Sequence, residues 1–395
     1  MPNGSAVLVG SLPAKMTTAL SCRGCGSQRI EPVLDLGDVP ASDTFPLEQA
    51  PLPDRRWPLE VYMCRACALV QLGPAGPAAI DEQGAVESAT ALAHARRAVA
   101  AIVRDERLQA GDTVIEIDSR HGGSWLPGFI DSGLAAREPN TTADLVVDLH
   151  GMMHAADLDA AVAAHATRIA PSGRLVCEFY YLGALVEGSL IDTIRHGHFS
   201  YLSLVAAVRL FDRHGLVACR AERVPMFGGS LRVTVRRAVD GAHSYVDTSV
   251  AELLEVERRA GLDDLPAVAA LGRRGRAAAT AFRAHLASAH ERGVTVAGYG
   301  APSKAAVLLA LANVDVTLLP YTVDLAPAKH GCRIPGAGVP IRPVADLIVG
   351  RPAEIVLLTW DIAAEVSGQL RDLAAGTGWK PRVWAPLPVP GYVVG

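Results

Sequence analysis

Two C-x-x-C pairs constrain the fold of this chain more than any other feature of its sequence. Cys22 and Cys25 form the first pair, and Cys64 and Cys67 form the second. With two residues between the cysteines, both thiolates of one turn can reach the same ion, and two such turns complete a tetrahedral zinc site. Four thiolates leave no position open to water, so we predict a structural zinc ion. A redox-active dithiol and a chance spacing are the alternatives.

The remaining composition favours a protein of a reducing compartment. Seven cysteines, an odd number, argue against a disulfide framework, so we expect a cytoplasmic location. Cys177, Cys219 and Cys332 are expected to be small buried apolar residues. We expect no signal peptide and no membrane-spanning segment. The formal charge of −4 and the scattered basic residues also argue against a nucleic-acid partner.

The length of 395 residues exceeds what one hydrophobic core usually supports, which predicts two or three domains. Short apolar runs alternate with helical patterns, and this alternation predicts parallel sheets in an α/β fold. The predicted strands are 113–117, 144–148, 173–179, 294–300 and 354–360. The predicted helices are 88–108, 158–169, a helical stretch within 246–291, and 301–311. The Arg-rich face within 246–291 is interpreted as a solvated surface rather than a calmodulin-binding helix.

Several short motifs follow one another in an order that resembles one protein family. They are the first cysteine pair followed by 33–37 (VLDLG) and Pro40, 57–61 (WPLEV) leading to 64–72 (CRACALVQL), 196–201 (HGHFSY), 228–233 (GGSLRV), 298–304 (GYGAPSK) and 335–341 (PGAGVPI). Together they resemble the three-domain C-methyltransferases of antibiotic deoxysugar biosynthesis. The resemblance extends over nearly the whole chain.

The resemblance implies both a domain organisation and a chemistry. The implied domains are a zinc-binding domain at 15–80, a trimmed Rossmann domain similar to S-adenosylmethionine (SAM) methyltransferases at 85–245, a helical connection at 246–291 and a C-terminal Rossmann-like α/β domain at 292–395. In this family a nucleotide-linked 4-ketosugar is deprotonated beside its carbonyl, and the enolate takes a methyl group from SAM. That chemistry needs a base near the carbon and a charge or donor near the developing enolate.

Two histidines and an arginine match the catalytic motif of that family. The resemblance makes His198 the general base, and His154 matches a second family histidine. Arg195 stands where the family motif usually has tyrosine, and Gly197 where it has glutamate. A guanidinium can stabilise an enolate or bind a phosphate, but it cannot act as a base near neutral pH. We predict a catalytic set of His198, His154 and Arg195, against the alternative that the histidines only pack.

The cofactor-binding region departs from the family pattern. The family loop reads Glu-Ile-Gly-x-Asn-Asp-Gly, whereas Glu116 here is followed by Ile117 and then Asp118, whose carboxylate opposes an anionic ligand. Gly122 and Gly123 are predicted to supply a shifted loop, and Glu138 matches the acidic residue that holds the ribose, unless it is only a turn residue. Too few residues separate Pro139 from the next strand to hold a helix, which predicts a pocket trimmed beside the adenine.

A glycine turn opens the C-terminal unit. Tyr299 lies within this turn, and Lys304 follows it at the start of a helix, where backbone N–H groups can receive a phosphate. We predict that both residues contact the substrate, with Lys304 near a diphosphate. A tight turn with a solvated lysine is the alternative. A lone glycine turn is weak evidence for a nicotinamide cofactor. No acidic residue at the end of the next strand gives a clear ribose contact, and Asp324 is the closest candidate.

Three functions are consistent with this sequence. The first is a SAM-dependent C-methyltransferase that acts on a nucleotide-linked ketosugar in natural-product biosynthesis. The second is a SAM-independent descendant that catalyses proton transfer, epimerisation, cyclisation or elimination on a natural-product intermediate. The third is a non-catalytic partner of a related enzyme, which has no need of both histidines. We favour the first.

Overall fold

The structure, a computed structural model, describes residues 20–74, 76–77, 86–117, 123–238 and 245–393. The strands are β1 (Ile30–Pro40), β2 (Arg56–Cys64), β3 (Val70–Leu72), β4 (Thr113–Ile117), β5 (Ala135–Ala136), β6 (Ala143–Leu149), β7 (Ile169–Tyr180), β8 (Ser200–Tyr201), β9 (Leu216–Val224), β10 (Ser230–Arg237), β11 (Val296–Tyr299), β12 (Thr322–Asp324), β13 (Ile341–Pro343), β14 (Glu354–Leu357), β15 (Arg382–Ala385) and β16 (Gly391–Tyr392). The helices are α1 (Ala89–Asp105), α2 (Leu126–Asp131), α3 (Leu158–Arg168), α4 (Leu182–Gly188), α5 (Leu204–Arg213), α6 (Thr248–Ala260), α7 (Leu265–Glu291), α8 (Ser303–Ala312), α9 (Asp346–Gly350) and α10 (Ala363–Ala374). Among the described helices, none combines the length and the apolar character that crossing a bilayer requires.

The N-terminal sheet has the strand order β1-β2-β3-β8, and all of its pairs are antiparallel. Its last strand comes from far along the chain, because Val70 of β3 pairs with Tyr201 of β8. Strand β8 immediately follows the predicted catalytic motif. The cysteine-rich segment and the loop that carries His198 are therefore held in one sheet, which the sequence pattern did not predict.

The central sheet has the order β5-β4-β6-β7-β10-β9. Strands β5, β4, β6 and β7 are parallel, as the alternation predicted, whereas β10 runs antiparallel to both β7 and β9. Residues 137–142 connect β5 to β6 and contain no helix. Strand β5 pairs only with Thr113 and Val114, at the start of β4. It therefore ends near the edge of the sheet where β6 begins, so a short connection is enough.

The C-terminal sheet has the order β13-β12-β11-β14-β15-β16, with only β16 antiparallel. The strand order reverses between β11 and β14, which is where open α/β sheets usually bind ligands. The long helix α7 leads into this sheet and packs against β1 and the turn Ile191–Thr193. The architecture is thus α/β, with two mainly parallel sheets and an N-terminal cysteine-containing sheet.

Candidate functional site

Four cysteines form a cluster with the dimensions of a zinc site. Their sulfur atoms all lie within 4.8 Å of one another, with Cys22 Sγ 3.5 Å from Cys67 Sγ and Cys25 Sγ 3.6 Å from Cys64 Sγ. A tetrahedron with Zn–S bonds of about 2.3 Å has edges of about 3.8 Å. The thiolates therefore fit one zinc ion in a closed coordination sphere, and the predicted structural zinc is confirmed.

Both cysteine turns close in the same way. Gly26 N–H donates to Cys22 O at 2.8 Å, and Ala68 N–H donates to Cys64 O at 2.9 Å. Each turn then needs a left-handed residue directly after its second cysteine, and Gly26 (φ +70°) and Ala68 (φ +64°) take that conformation. Glycine adopts it freely, whereas alanine does so at a cost of about 1 kcal/mol or more. The metal and the packing of β2 and β3 must hold the second turn in place.

A cleft of about 230 Å³ lies between the central and the C-terminal sheets. On the central side it is lined by Tyr180, at the end of β7, and by residues of the 193–198 loop. On the C-terminal side it is lined by residues that follow β11, β12 and β14, among them Lys304 and Asp361. Ligands of parallel sheets bind outside the carboxyl ends of the strands. The cleft has the position expected of a substrate site.

His198 forms part of the cleft wall, and His154 lies beside it. The ring centroids are 4.9 Å apart, with an interplanar angle of 87°. His198 Nδ1 lies 3.2 Å from Thr193 O, and His154 Nδ1 lies 2.8 Å from Gly197 O. Because a carbonyl can only accept, each Nδ1 carries a proton, and in the neutral ring each Nε2 carries the lone pair. Both rings thus have the tautomer in which Nε2 can take up a proton.

The turn that carries His154 is fixed by a buried carboxylate. Asp148, at the end of β6, accepts from Gly151 N–H at 2.7 Å and from Met152 N–H at 3.2 Å through Oδ1. Its Oδ2 lies 2.6 Å from His165 Nε2, and both side chains are buried. The end of β6 therefore sets the position of His154 relative to the 193–198 loop.

Two cationic side chains in the cleft wall have acidic partners. Arg195 Nη1 donates to Asp43 Oδ1, and Lys304 Nζ donates to Asp361 Oδ1. The four side chains are between 6% and 15% exposed, so solvent screens these pairs weakly. The structure brings the predicted catalytic residues His198, His154 and Arg195 together. An anionic ligand at Lys304 would have to compete with Asp361.

A second buried polar cluster lies behind the cleft, and only a weak sequence signal marks it. Glu178, a charged residue inside the apolar run of β7, accepts from His94 Nε2 at 2.8 Å and from Arg232 Nη2 at 2.9 Å. Burial alone would raise the pKa of Glu178, but the hydrogen bond from His94 and the charge of Arg232 hold it below its ordinary value. Burial also lowers the pKa of His150, 3.9 Å from Glu178, to about 4, so His150 is neutral near pH 7.

Backbone strain marks the wall between this cluster and the cleft. His150 (φ +63°) and Phe227 (φ +55°) are left-handed residues other than glycine. Both rings pack on Tyr180, with centroids 5.0 and 5.6 Å away, and Tyr180 in turn packs 5.3 Å from His198. Such conformations cost about 1 to 3 kcal/mol each and concentrate at functional sites. The strain thus lies next to the predicted base.

Asp192 is a fully buried acid directly below the 193–198 loop. Trp360 Nε1–H donates to Asp192 Oδ2 at 2.8 Å. Burial raises the pKa of Asp192 to about 6, and the nearby charge of Lys304 acts in the opposite direction. This residue was not singled out from the sequence, because an isolated aspartate in a loop carries no pattern.

The predicted cofactor residues that the structure describes do not form one ligand-facing group. The carboxylate of Glu116 accepts from Ser124 Oγ at 2.5 Å and from Trp125 and Leu126 N–H at 2.9 Å each, which caps α2. Gly123 (φ +68°) approaches the cleft residue Glu87, whereas Gly122 lies outside the described residues, as does the rest of 118–122.

Glu138 and Tyr299 both lie outside the cleft wall. Glu138 is exposed in the turn after β5, where its carbonyl accepts from Thr141 N–H at 3.1 Å. The Tyr299 hydroxyl donates to Gln369 of α10. Asp324, the candidate ribose-binding acid, instead accepts from Ala301 N–H at 2.6 Å and closes the glycine turn. The N–H groups of this turn are thus partly satisfied within the protein.

Models of two known protein domains match parts of this chain. A model of the C-methyltransferase C-terminal domain matches residues 225–388, and a model of a zinc binding domain matches residues 22–79. C-methyltransferase NovU of Streptomyces niveus is 27% identical over 409 residues, an alignment that covers 94% of this chain and 96% of NovU.

Two solved structures resemble part of the chain. The 1,6-didemethyltoxoflavin-N1-methyltransferase of Burkholderia thailandensis is 12% identical, covers 43% of this chain and 96% of its own, and has a TM-score of 0.31. The magnesium protoporphyrin IX methyltransferase of Synechocystis PCC 6803 is also 12% identical, covers 37% of this chain and 82% of its own, and has a TM-score of 0.28. At these TM-scores the likeness adds nothing to the fold described above.

Proposed function

We propose that this chain is a three-domain C-methyltransferase and that it methylates a nucleotide-linked ketosugar at the carbon beside its carbonyl, in natural-product biosynthesis. One observation carries this proposal: His198 lines the cleft between the two parallel sheets, and its Nδ1–H is committed to Thr193 O. Its Nε2 is therefore the nitrogen that takes the proton from carbon.

Each catalytic residue has a distinct role in the proposed reaction. His198 Nε2 removes the proton, and the Arg195 guanidinium stabilises the negative charge that develops on the enolate oxygen. His154 packs edge-on against His198 and keeps the 195–198 loop in place through Gly197 O. SAM, when bound, supplies the methyl group that the enolate carbon accepts. Glu87 lines the cleft, and Gly123 lies against it.

The arrangement of the residues expected to hold the cofactor favours a second candidate function, one without SAM. Glu116 is committed to capping α2, Glu138 is exposed outside the cleft, and no helix follows β5 within 137–142. The same base could then transfer a proton without methylation, as in an epimerisation. This descendant would keep His198 and Arg195 but not bind SAM.

Deuterium exchange distinguishes the two candidates. The protein is incubated in D2O with a thymidine-diphosphate-linked 4-keto-6-deoxyhexose, with and without SAM, and the product is followed by NMR and mass spectrometry. Methylation at the carbon beside the carbonyl supports the first candidate. Deuterium uptake at that carbon, unchanged by SAM, supports the second. Neither methylation nor exchange on any ketosugar would rule out both.

The role of His198 is tested in the same assay. His198→Asn removes Nε2 and is expected to lower the rate by a factor on the order of 10² to 10⁴. His290→Asn, an exposed histidine in the last turn of α7, is the matched control and should leave the rate unchanged. A His198→Asn protein as active as the control would exclude this histidine as the base.

We further propose the domain division 15–80, 85–245, 246–291 and 292–395, and a cytoplasmic location. The two family matches, at 22–79 and 225–388, support a zinc-binding unit at one end and a C-methyltransferase unit at the other. The seven cysteines all lie within the described residues and form no disulfide, which suits a reducing compartment. Limited proteolysis that releases fragments with these boundaries would support the division.

A further inference from the structure

The connection between β1 and β2, residues 41–55, is anchored on the C-terminal unit. Glu48 N–H donates to Gly331 O at 2.9 Å, and Arg333 N–H donates to Pro46 O at 2.8 Å. The side chain of Arg333 is fully buried and binds both carboxylate oxygens of Asp54. These contacts fix the middle of the connection and its end before β2.

The connection places two side chains against cations of the cleft wall. Asp43 Oδ1 accepts from Arg195 Nη1, with the two side chains 11% and 6% exposed. The ring of Phe45 lies 4.7 Å from Lys329 Nζ. Arg195 belongs to the central unit and Lys329 to the C-terminal unit, and both line the cleft. One segment therefore contacts the cationic side chains of both cleft walls.

The conformation and surroundings of position 197 explain why the carboxylate near this loop comes from the 41–55 connection. Gly197 has φ +91°, and a Cβ atom added there would lie 3.2 Å from Asp43 Oδ2. A glutamate at 197 would thus be strained and would place a second negative charge beside Asp43. The family motif has a carboxylate at this position, whereas in this chain Asp43 supplies one beside the same loop.

We propose that Asp43 is a positioning residue of the reaction, which acts through Arg195. Its carboxylate orients the guanidinium in the cleft and keeps it from turning towards other anions, including the phosphates of the substrate. This inference rests on the proposed function, because the role of Arg195 is to stabilise the enolate. It adds a residue of the N-terminal unit to the machinery of the cleft.

The test compares Asp43→Asn with Asp38→Asn, a matched exposed carboxylate in β1. Each variant is assayed in the ketosugar exchange reaction below its unfolding transition. Misplacing a group that stabilises only the transition state lowers kcat more than it raises KM. We expect kcat of Asp43→Asn to fall on the order of 10-fold to 100-fold, with KM nearly unchanged. Asp43→Glu should recover part of the loss, and Asp38→Asn should behave like the native protein.

Three results would overturn the inference. Equal kcat in Asp43→Asn and the native protein would show that the pair does not position Arg195. Loss of zinc or of folding in both Asp43→Asn and Asp43→Glu would show that the pair serves folding only. If the native protein acts on no ketosugar, the proposed function fails, and the inference is then decided by a crystal structure of Asp43→Asn. A displaced Arg195 guanidinium would support it, and an unmoved one would contradict it.

Discussion

At the scale of single residues, backbone carbonyls decide what the cleft histidines can do. Thr193 O and Gly197 O each accept from an Nδ1–H, so the basic nitrogen of His198 and of His154 is Nε2. Protonation of Nε2 leaves the Nδ1–H hydrogen bond in place. His198 can therefore take up and release a proton without changing its orientation, which a general base requires.

Asp192 should make the stability of the protein depend on pH. Its folded pKa of about 6 lies above its unfolded value near 3.9, so folding favours the protonated acid. The stabilisation is complete below about pH 4 and is lost as the pH rises through about 6. Asp192→Asn mimics the neutral acid and keeps an acceptor for Trp360. It should raise the free energy of unfolding by about 2 to 3 kcal/mol at about pH 8 and by about half as much at about pH 5.

Urea unfolding at the two pH values measures this difference. Asp131→Asn, an exposed aspartate in α2, is the control and should give the same small change at both. An Asp192→Asn protein whose change in free energy of unfolding is the same at both pH values would show that Asp192 is ionised throughout this range.

At the scale of elements, α7 depends on two glycines for its close packing. A Cβ at Gly272 would lie 2.2 Å from Leu34 Cδ1 of β1, and one at Gly275 would lie 2.3 Å from Ile191 Cβ. Ile191 opens the turn that precedes the catalytic loop and carries Asp192. Helix propensity alone would disfavour glycine at both positions by about 1 kcal/mol each. Close approach of α7 to this turn, rather than helix formation, explains these residues.

Gly275→Ala should therefore destabilise the protein although alanine is the better helix former. The new methyl group meets a Cβ atom that is fixed to the backbone, so we expect a loss of about 1 to 3 kcal/mol. Gly368→Ala in α10, where the nearest atom is 3.9 Å away, is the control and should gain up to about 1 kcal/mol. Thermal unfolding of both variants checks this. A stabilised Gly275→Ala protein would show that α7 and the 191–193 turn can separate without cost.

At the scale of the whole molecule, the cleft is held together by contacts between distant parts of the chain. The N-terminal sheet takes in β8 directly after the catalytic loop, and Asp54 binds the buried Arg333 of the C-terminal unit. Trp360 of the C-terminal unit donates to Asp192 of the central one. The zinc cluster stabilises the turn that leads into β3, the partner of β8. The metal should therefore affect the order of the catalytic loop.

Removal of one zinc ligand tests whether the order of the catalytic loop depends on the metal. Cys25→Ala should abolish the binding of about one zinc ion per chain and lower stability, because metal binding and folding are coupled. Hydrogen exchange at 198–201 should become faster, since β8 loses an ordered partner. Cys219→Ala, a buried cysteine outside the cluster, should keep its zinc. Unchanged hydrogen exchange at 198–201 in a zinc-free Cys25→Ala protein would contradict the predicted effect of the metal on the catalytic loop.

Much of the site lay beyond prediction because its residues are far apart in sequence. The match of His198 to a known motif predicted its position in the cleft, whereas Asp43 and Asp192 stand in no motif and follow no periodicity. Arg195 and Asp43 are 152 residues apart, and Trp360 and Asp192 are 168 apart. Neither pair can be detected from a local sequence pattern, because helical and strand periodicities relate only residues a few positions apart.

The sequence by itself determined the zinc site and the alternation of strands and helices. Both depend on short-range geometry: two residues between thiolates, and apolar periods set by the backbone. Only the tertiary structure decided that Glu116 caps a helix, that Lys304 is paired with Asp361, and that Arg195 is held by Asp43. These contacts follow from strand order and from the packing of the three sheets against one another, which determine which distant side chains meet.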